Sequence, residues 1–185
     1  MATNEKNLTT AKNVDCINPE NWMSVEKEGL FCKSGNFYID PLRPVETAII
    51  THGHADHARP NHGRVIATKA TADIMKVRYG EDCAQKFITL EYGEVYQINH
   101  EVSVHLVPAG HILGSAQAVI EYQNQKIVIS GDYKRSSDPT AEEFKPIYQP
   151  DIFITEATFA IPVFQHPPIE KEVQKLLDSL STFPE

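Results

Sequence analysis

The stretch Thr47–His57, TAIITHGHADH, indicates both the fold class and the chemistry of this chain. Its first five residues form a short β-branched run of the kind that lies buried in a sheet. The run leads directly into a loop in which four metal-ligating groups follow the pattern HxHxDH, namely His52, His54, Asp56 and His57. The stretch therefore predicts a buried strand that delivers a metal-binding loop.

The spacing within this loop suits two metal ions. His52 and His54 can turn toward one point, while Asp56 and His57 turn toward a second point beside it, as a two-zinc site requires. Imidazole and carboxylate ligands suit zinc, and manganese is an open alternative. The expected cofactor is therefore a pair of Zn²⁺ ions, with Mn²⁺ as the second choice.

Two later residues fit the same site. His111 lies in PAGHILGSA at the end of the predicted strand Val102–Val107, and Asp132 lies in ISGDYK at the end of the predicted strand Lys126–Ser130. Residues that follow strand ends are often functional, because loops there are presented by a rigid scaffold. A single carboxylate such as Asp132 can bridge two cations, so we expect both residues to coordinate metal.

The rest of the pattern predicts an α+β fold. Short strands follow each other from Phe87 to Ser130, and Val102, Val104 and Leu106 alternate with polar residues. Helices are predicted at Thr71–Tyr79, which stops at Gly80, and at Ile169–Ser181, where apolar residues recur on one face. The middle of the chain is therefore rich in sheet, with few helices.

Composition restricts the location and the partners. The chain has 185 residues, 17 basic against 25 acidic, and a net charge of −8, which argues against a general basic surface for nucleic acid. It has no apolar run long enough for a membrane span, and the polar start, Met1–Asn13, lacks the apolar core of a secretory signal. We therefore expect a cytoplasmic protein without a membrane partner.

Positive charge is concentrated in one region. Five basic residues lie between Arg59 and Arg78 against a single aspartate; they either contact phosphates or form a solvated face, and both interpretations stay open. Lys134 and Arg135, next to Asp132, are better placed for a substrate phosphate. The remaining histidines are expected to be solvated rather than ligands: His62, His100, His105 and His166.

Three motifs in combination resemble a known superfamily. HGHADH, PAGHILGSAQ and SGDYK are similar to the motifs of the metallo-β-lactamase superfamily, and DIFITEATF resembles the first motif of its β-CASP nuclease branch. Within that branch, residues 28 to 166 are similar to the bacterial ligase-associated DNA exonucleases, relatives of the nucleases that process mRNA 3′ ends. The resemblance implies an αββα sandwich and a metal-dependent phosphodiester hydrolase acting on nucleic acid, with DNA favoured over RNA.

The resemblance also implies roles for individual residues. The first zinc would be held by His52, His54 and His111. The second would be held by Asp56 and His57. Asp132 would be a ligand of both. Asp56 would also take or align the proton of the attacking water. Asp40 would orient the histidine loop by hydrogen bonds, and Glu156 would act with a histidine of the cap domain on the leaving oxygen. Local turn-capping roles are the alternatives for Asp40 and Glu156.

The chain departs from the family by being short. Residues 1–160 would form the N-terminal part of a metallo-β-lactamase-like domain and residues 161–185 the beginning of a β-CASP cap, so the fold is expected to be truncated. The cap histidine that completes the second zinc site has no counterpart, since His166 lies too early.

The resemblance and the shortness of the chain together imply partners, and alternative functions stay open. We expect a missing C-terminal portion or a second polypeptide, and a DNA ligase and a helicase as functional associates. The alternative functions are hydrolysis of a small thioester or lactone and a non-catalytic, truncated paralogue.

Overall fold

The structure, a computed structural model, describes residues 18–161, 163 and 167–182. The chain divides into two compact units, of which the first ends at Thr155 and the second begins at Glu156. The predicted boundary at residue 160 stays a prediction. His166 lies outside the described residues.

The first sheet positions the histidine loop. Its six strands lie side by side in chain order: β1 (Met23–Glu26), β2 (Gly29–Cys32), β3 (Phe37–Ile39), β4 (Thr47–Ile49), β5 (His62–Thr68) and β6 (Ala84–Leu90). Strands β1 to β3 are antiparallel, whereas β3 to β6 are parallel. The carboxyl ends of β3 and β4 therefore meet at one edge, where Asp40 follows the first of them and His52 follows the second.

Helix α1 (Lys69–Tyr79) connects β5 to β6. It begins at the capping residue Thr68, whose hydroxyl accepts a hydrogen bond from the Thr71 N–H, and it ends at Gly80 with a φ of 98°. The predicted helix Thr71–Tyr79 is therefore correct apart from its first turn.

The second sheet carries the other two motifs. Its strands, in spatial order β11, β10, β9, β8, β7, have these bounds: β7 (Tyr96–Gln97), β8 (Val102–Pro108), β9 (Ala116–Tyr122), β10 (Gln125–Ile129) and β11 (Ile152–Ile154). Strands β8, β9 and β10 are antiparallel neighbours, so β8 and β10 run in the same direction and end at the same edge. His111 and Asp132 follow those two ends.

The two sheets pack face to face over a common core. Residues of β3, β4 and β5 share one hydrophobic cluster with residues of β8, β9 and β10, including Phe37, Ile49, Ile66, Val104 and Ile120. In β8, buried and half-buried residues alternate along the whole strand, because one face points into this core.

The outer face of the first sheet is covered by α1. A second cluster joins Met75 of the helix to Ala48, Ile50 and Val65 of the sheet, so β4 is buried on both faces, as its apolar run predicts. Helix α1 supplies one outer layer of the sandwich. The predicted α+β class and sheet sandwich are confirmed.

The second unit contains helix α2 (Ile169–Thr182), in agreement with the helix predicted at Ile169–Ser181. Its apolar stripe is exposed: Ile169, Val173, Leu176, Leu177 and Leu180. Neither described helix combines the length and the apolar character that crossing a membrane requires. Strand β1 was not predicted, and within the predicted strand-rich stretch from Phe87 to Ser130 strand β7 has only two residues.

One histidine prediction is wrong. His62, expected to be solvated in a loop, begins β5 and is 0% exposed. Its Nδ1 accepts a hydrogen bond from the Val45 N–H at 3.2 Å, and burial lowers the pKa of the ring below its ordinary value of 6.5. The neighbouring Asn61 suggested a loop, but the strand pairing with β4 and β6 removes the ring from water.

This burial predicts acid sensitivity. Because the pKa of His62 is lower in the folded chain, the unfolded chain binds a proton first as the pH falls below about 6.5, and the free energy of unfolding decreases by up to ~1.4 kcal/mol per pH unit. The contribution is present at neutral pH and is lost toward the lowered pKa. Urea unfolding of the metal-free protein between pH 5 and 7.5 measures it. His62→Gln should flatten this dependence, and an identical slope in both proteins would contradict the prediction.

Candidate metal centre

Three loops meet at one edge of the sandwich, and they contain all the predicted metal ligands. They follow β4, β8 and β10 and span residues 50–57, 109–115 and 130–135. Backbone hydrogen bonds join them: the Ala116 N–H donates to the Thr51 carbonyl at 2.8 Å, and the Lys134 N–H donates to the Ala109 carbonyl at 3.0 Å. The edge is therefore a connected backbone framework rather than three independent loops.

Gly131 permits a close approach between the loop of Asp132 and the loop of His52. Its φ is +54°, and a Cβ atom there would lie 2.7 Å from both Cβ and Oγ1 of Thr51. A side chain at this position would be strained and would push the loop away. Glycine therefore lets Asp132 lie beside the residue that precedes His52.

Three imidazole nitrogens converge on one point. His52 Nε2 lies 3.0 Å from His54 Nδ1, and His111 Nε2 lies 3.2 Å from the same His54 Nδ1. Two zinc–nitrogen bonds of about 2.0–2.1 Å at a tetrahedral angle place the nitrogens about 3.3 Å apart. The two spacings to His54 Nδ1 therefore fit the coordination sphere of one zinc ion.

Hydrogen bonding behind His52 decides which of its nitrogens is free to bind metal. The Thr51 hydroxyl donates its single proton to Asp40 Oδ2 at 2.5 Å, so it can only accept from His52 Nδ1, which lies 3.1 Å away. The His52 Nδ1 then carries the proton, and Nε2 presents its lone pair to the centre. Burial, together with the neighbouring His57, lowers the pKa of His52 to about 3, so the ring is neutral at physiological pH, the form that binds metal.

Asp132 extends from this point toward a second one. Its Oδ2 lies 3.8 Å from His52 Nε2 and 3.7 Å from His111 Nε2, while its Oδ1 lies 3.5 Å from His57 Nε2. The two oxygens of one carboxylate therefore face two different groups of imidazoles. This is the geometry that a carboxylate shared by two cations needs.

Asp40 lies behind the histidine loop. Its Oδ2 is 2.8 Å from His57 Nδ1, and its Oδ1 accepts from the Thr51 N–H at 2.8 Å. The hydrogen bond to Asp40 raises the pKa of His57 above its ordinary value and directs Nε2 toward Asp132. One carboxylate thus orients His57 directly and His52 through Thr51.

The described residues offer two groups of side chains that could hold a metal ion. One comprises His52, His54, His111 and Asp132; the other comprises Asp40, His52 and His57. In the second group, Asp40 Oδ2 lies 2.8 Å from His57 Nδ1 and accepts from the Thr51 hydroxyl, which lies 3.1 Å from His52 Nδ1. The second group is therefore joined by hydrogen bonds that orient the two rings.

Asp56 lies at the exposed side of the loop. Its Oδ2 is 3.8 Å from His57 Nε2, and 76% of its side chain is exposed. The pKa of Asp56 is lowered: partial burial would raise it, but its own backbone N–H and the nearby His57 outweigh that effect. Asp56 is therefore ionised and accessible beside His57 at neutral pH.

The other predicted site residues have these positions. Glu156 belongs to the second unit, where its carboxylate accepts a hydrogen bond from the Thr158 N–H at 3.3 Å. Lys134 forms an ion pair with Asp138 at 2.7 Å, and Arg135 is exposed. Part of the Lys134 charge is therefore neutralised by a neighbour, whereas Arg135 is accessible to solvent.

Three of the five cations in the basic stretch have partners in the structure. Lys69 pairs with Asp73, Lys76 pairs with Glu81 at 3.0 Å, and Arg78 donates to the Gly53 carbonyl at 2.6 Å. Two of its cations have acidic partners, and a third is directed at the backbone of the histidine loop.

Sequence reasoning missed two functional residues, Thr51 and Arg78. The sequence predicts Thr51 only as the end of a strand. A hydroxyl group directly before a predicted ligand could have indicated a hydrogen bond to that ligand. Arg78 was counted only as a charge, because its partner is a backbone carbonyl 25 residues away in sequence. No local pattern indicates such a contact.

Comparison with known proteins gives several relatives. No family model matches the chain. A probable DNA ligase of Opitutus terrae is 28% identical over 167 residues, which cover 88% of this chain and 15% of that protein. The endoribonuclease ysh-1 of Neurospora crassa is 32% identical over 174 residues, which cover 76% of this chain and 20% of that protein.

A third relative is archaeal. An RNase J-like protein of Methanocaldococcus jannaschii is 28% identical over 158 residues, which cover 75% of this chain and 38% of that protein. The chain thus spans between 15% and 38% of the length of these three curated relatives.

Proposed function

Because the chain belongs to the β-CASP branch of the metallo-β-lactamase superfamily, we propose that it supplies the metal centre of a nuclease that hydrolyses phosphodiester bonds. The observation that carries the proposal is the convergence of three imidazole nitrogens on one point, from which Asp132 reaches toward His57. Neutral, oriented imidazoles and one shared carboxylate are the donor set that a pair of zinc ions prefers.

The proposed ligands follow this geometry. His52, His54 and His111 would hold the first zinc, Asp56 and His57 would hold the second, and Asp132 would be shared by both. Mn²⁺ is the alternative metal. A further ligand for the second zinc, a histidine of the cap domain, would come from a C-terminal portion or from a second polypeptide. Residues 161–185 would begin that cap.

The side chains of the chain divide the catalytic work. When bound, two divalent cations lower the pKa of a shared water from about 15.7 toward 7 and polarise the phosphate oxygens. Asp56, ionised and exposed beside His57, accepts or aligns the proton of the attacking water. Asp40 holds the tautomer of His57, and Glu156 acts with a cap histidine on the leaving oxygen. Arg135, with Lys134 beside it, binds a substrate phosphate.

We further propose that the substrate is DNA and that the whole protein is an exonuclease in DNA repair or processing. The match over 88% of the chain to a probable DNA ligase supports DNA, whereas two other relatives are named as ribonucleases. A DNA ligase and a helicase are the proposed functional associates, and the cytoplasm is the proposed location.

The deciding experiment compares three substrates. End-labelled single-stranded DNA, RNA of the same sequence and a small thioester are incubated with the zinc-loaded chain, with and without a separately supplied β-CASP cap. We expect stepwise shortening of the DNA when the cap is supplied. Turnover of the thioester alone would overturn the proposal, and faster cleavage of RNA would move the substrate class to RNA.

Asp40→Asn should weaken zinc binding. Asparagine tolerates the φ of +44° at this position, but its amide cannot accept both from the Thr51 hydroxyl and from the Thr51 N–H while also accepting from His57. The ligand tautomers are then no longer enforced, and we expect zinc affinity to fall about 10- to 100-fold. Competition with a chelating dye measures the affinity. Asp73→Asn, which removes the same charge from an exposed site on α1, serves as the control and should leave the affinity unchanged.

A further inference from the structure

Helix α1 contacts two of the three ligand loops. At its start, the hydroxyl groups of Thr68 and Thr71 lie 2.7 and 3.1 Å from the Gly114 carbonyl oxygen, in the loop that carries His111. At its end, Arg78 Nη1 donates to the Gly53 carbonyl at 2.6 Å, between His52 and His54. One helix therefore holds backbone carbonyls of loops that come from different sheets.

The contacts are close as well as polar. A Cβ atom at Gly53 would lie 2.8 Å from Ile74 Cγ2, and one at Gly114 would lie 2.8 Å from both Ala70 Cβ and the Thr71 nitrogen. The loops thus rest directly on the helix surface. Met75, fully buried against the first sheet, anchors the helix in turn.

We propose that α1 is a brace that sets the spacing of the first zinc site, with Arg78 and Thr71 as its positioning residues. The proposal rests on the function proposed above. The spacing concerned is the 3.2 Å between His54 Nδ1 and His111 Nε2, whose loops leave the first and the second sheet, respectively. The backbone hydrogen bond from Ala116 to Thr51 already joins the two sheets at this edge, and a helix that bonds to both loops further limits their relative movement.

The sign of the effect separates bracing from electrostatics. The Arg78 guanidinium is a positive charge beside a loop that binds cations, so its charge alone weakens zinc binding, and removing it should tighten binding. A brace predicts the opposite, because loss of the hydrogen bond to Gly53 frees the loop. Lys76, one half-turn earlier on α1, has the same charge but pairs with Glu81 and lies over the Phe87 ring.

The test measures zinc affinity of the 185-residue chain by competition with a chelating dye. Arg78→Met should bind zinc about 10- to 100-fold more weakly, as is usual when a group that orients a ligand is lost, while Lys76→Met should match the wild type or bind slightly more tightly. Arg78→Lys, which can still donate to the carbonyl, should restore part of the affinity. The absorption spectrum of the Co²⁺-loaded chain should change in Arg78→Met only, because it reports coordination geometry.

A second pair of variants keeps the test decisive if Arg78→Met fails to fold. Thr71→Val preserves the shape of a fully buried residue but removes one of the two hydroxyl groups within hydrogen-bond distance of the Gly114 carbonyl, and about a fivefold loss of affinity is expected for one hydrogen bond. Thr71→Ser retains the donor and should bind normally. Wild-type affinity in Thr71→Val and in whichever Arg78 variants fold would overturn the brace. If the wild-type chain itself binds no zinc, or binds it equally after His54→Ala, the proposed function fails instead.

Discussion

Replacing His54 by alanine is expected to remove zinc from the first site. His54 Nδ1 lies within 3.2 Å of both His52 Nε2 and His111 Nε2, so it is the central member of the three nitrogens. Loss of a direct ligand should cost more than the 10- to 100-fold typical of an orienting group, so zinc affinity should fall by more than about 100-fold. Asp132→Ala should lower the zinc content at least as much, because its two oxygens face both groups of imidazoles.

Elemental analysis after dialysis measures the zinc content, and thermal unfolding gives an independent readout. Zinc that binds the folded chain raises its melting temperature, and this increase should disappear in both variants. His100→Ala is the matched control, since His100 is an exposed histidine outside the site. Zinc content unchanged in both His54→Ala and Asp132→Ala would remove the basis of the proposed metal centre. Any phosphodiester cleavage should be lost together with the metal.

Gly110→Ala is expected to separate His111 from Asp132. Gly110 has a φ of +73°, and a Cβ atom there would overlap the Lys134 carbonyl oxygen and lie 2.9 Å from the Phe144 nitrogen. The backbone hydrogen bond from Lys134 to Ala109 is made at this contact, so the substitution must push apart the loops that carry His111 and Asp132. Both stability and zinc affinity should fall.

Gly93→Ala is the control that isolates the clash. Gly93 has a similar φ of +81°, but a Cβ atom there meets nothing within 4 Å. Both variants bear the cost of a left-handed alanine, about 1–2 kcal/mol, which lowers the melting temperature by about 2–8 °C in a chain of this size. Gly110→Ala should show at least about twice that decrease and should also lose zinc affinity. Equal melting temperatures and equal zinc affinities in the two variants would contradict this account of the close contact.

Much of the architecture could be predicted because its signals are local. The β-branched run before His52 predicts a buried strand, and the alternation in β8 predicts a half-buried one. Helix α1 was recognised by its apolar spacing and by Gly80. Strand β1 escaped prediction because only its first residue is buried, so it lacks the alternation on which such predictions depend. His62 was misjudged because its burial comes from strand pairing rather than from its neighbours in sequence.

The candidate site divides in the same way. Short stretches of sequence show the residue types of HxHxDH and the positions of His111 and Asp132 after strand ends. The set of side chains could therefore be named from the sequence. The hydrogen-bond partners of these side chains could not be named from the sequence, because those partners are distant in sequence. The Thr51 hydroxyl donates a hydrogen bond to Asp40 and accepts one from His52 Nδ1, so the lone pair of His52 is on Nε2. Arg78, at the end of α1, donates to the Gly53 carbonyl.

By itself the sequence determined that this chain forms an α+β sandwich and that histidines and aspartates follow the strands of both sheets. The reason is that strand burial and ligand type are properties of a few consecutive residues. Only the tertiary structure decided that two imidazole nitrogens lie within 3.2 Å of His54 Nδ1, that Asp132 faces two groups at once, and that α1 contacts two ligand loops. These distances arise from packing two sheets and a helix together, so they depend on contacts across the whole fold.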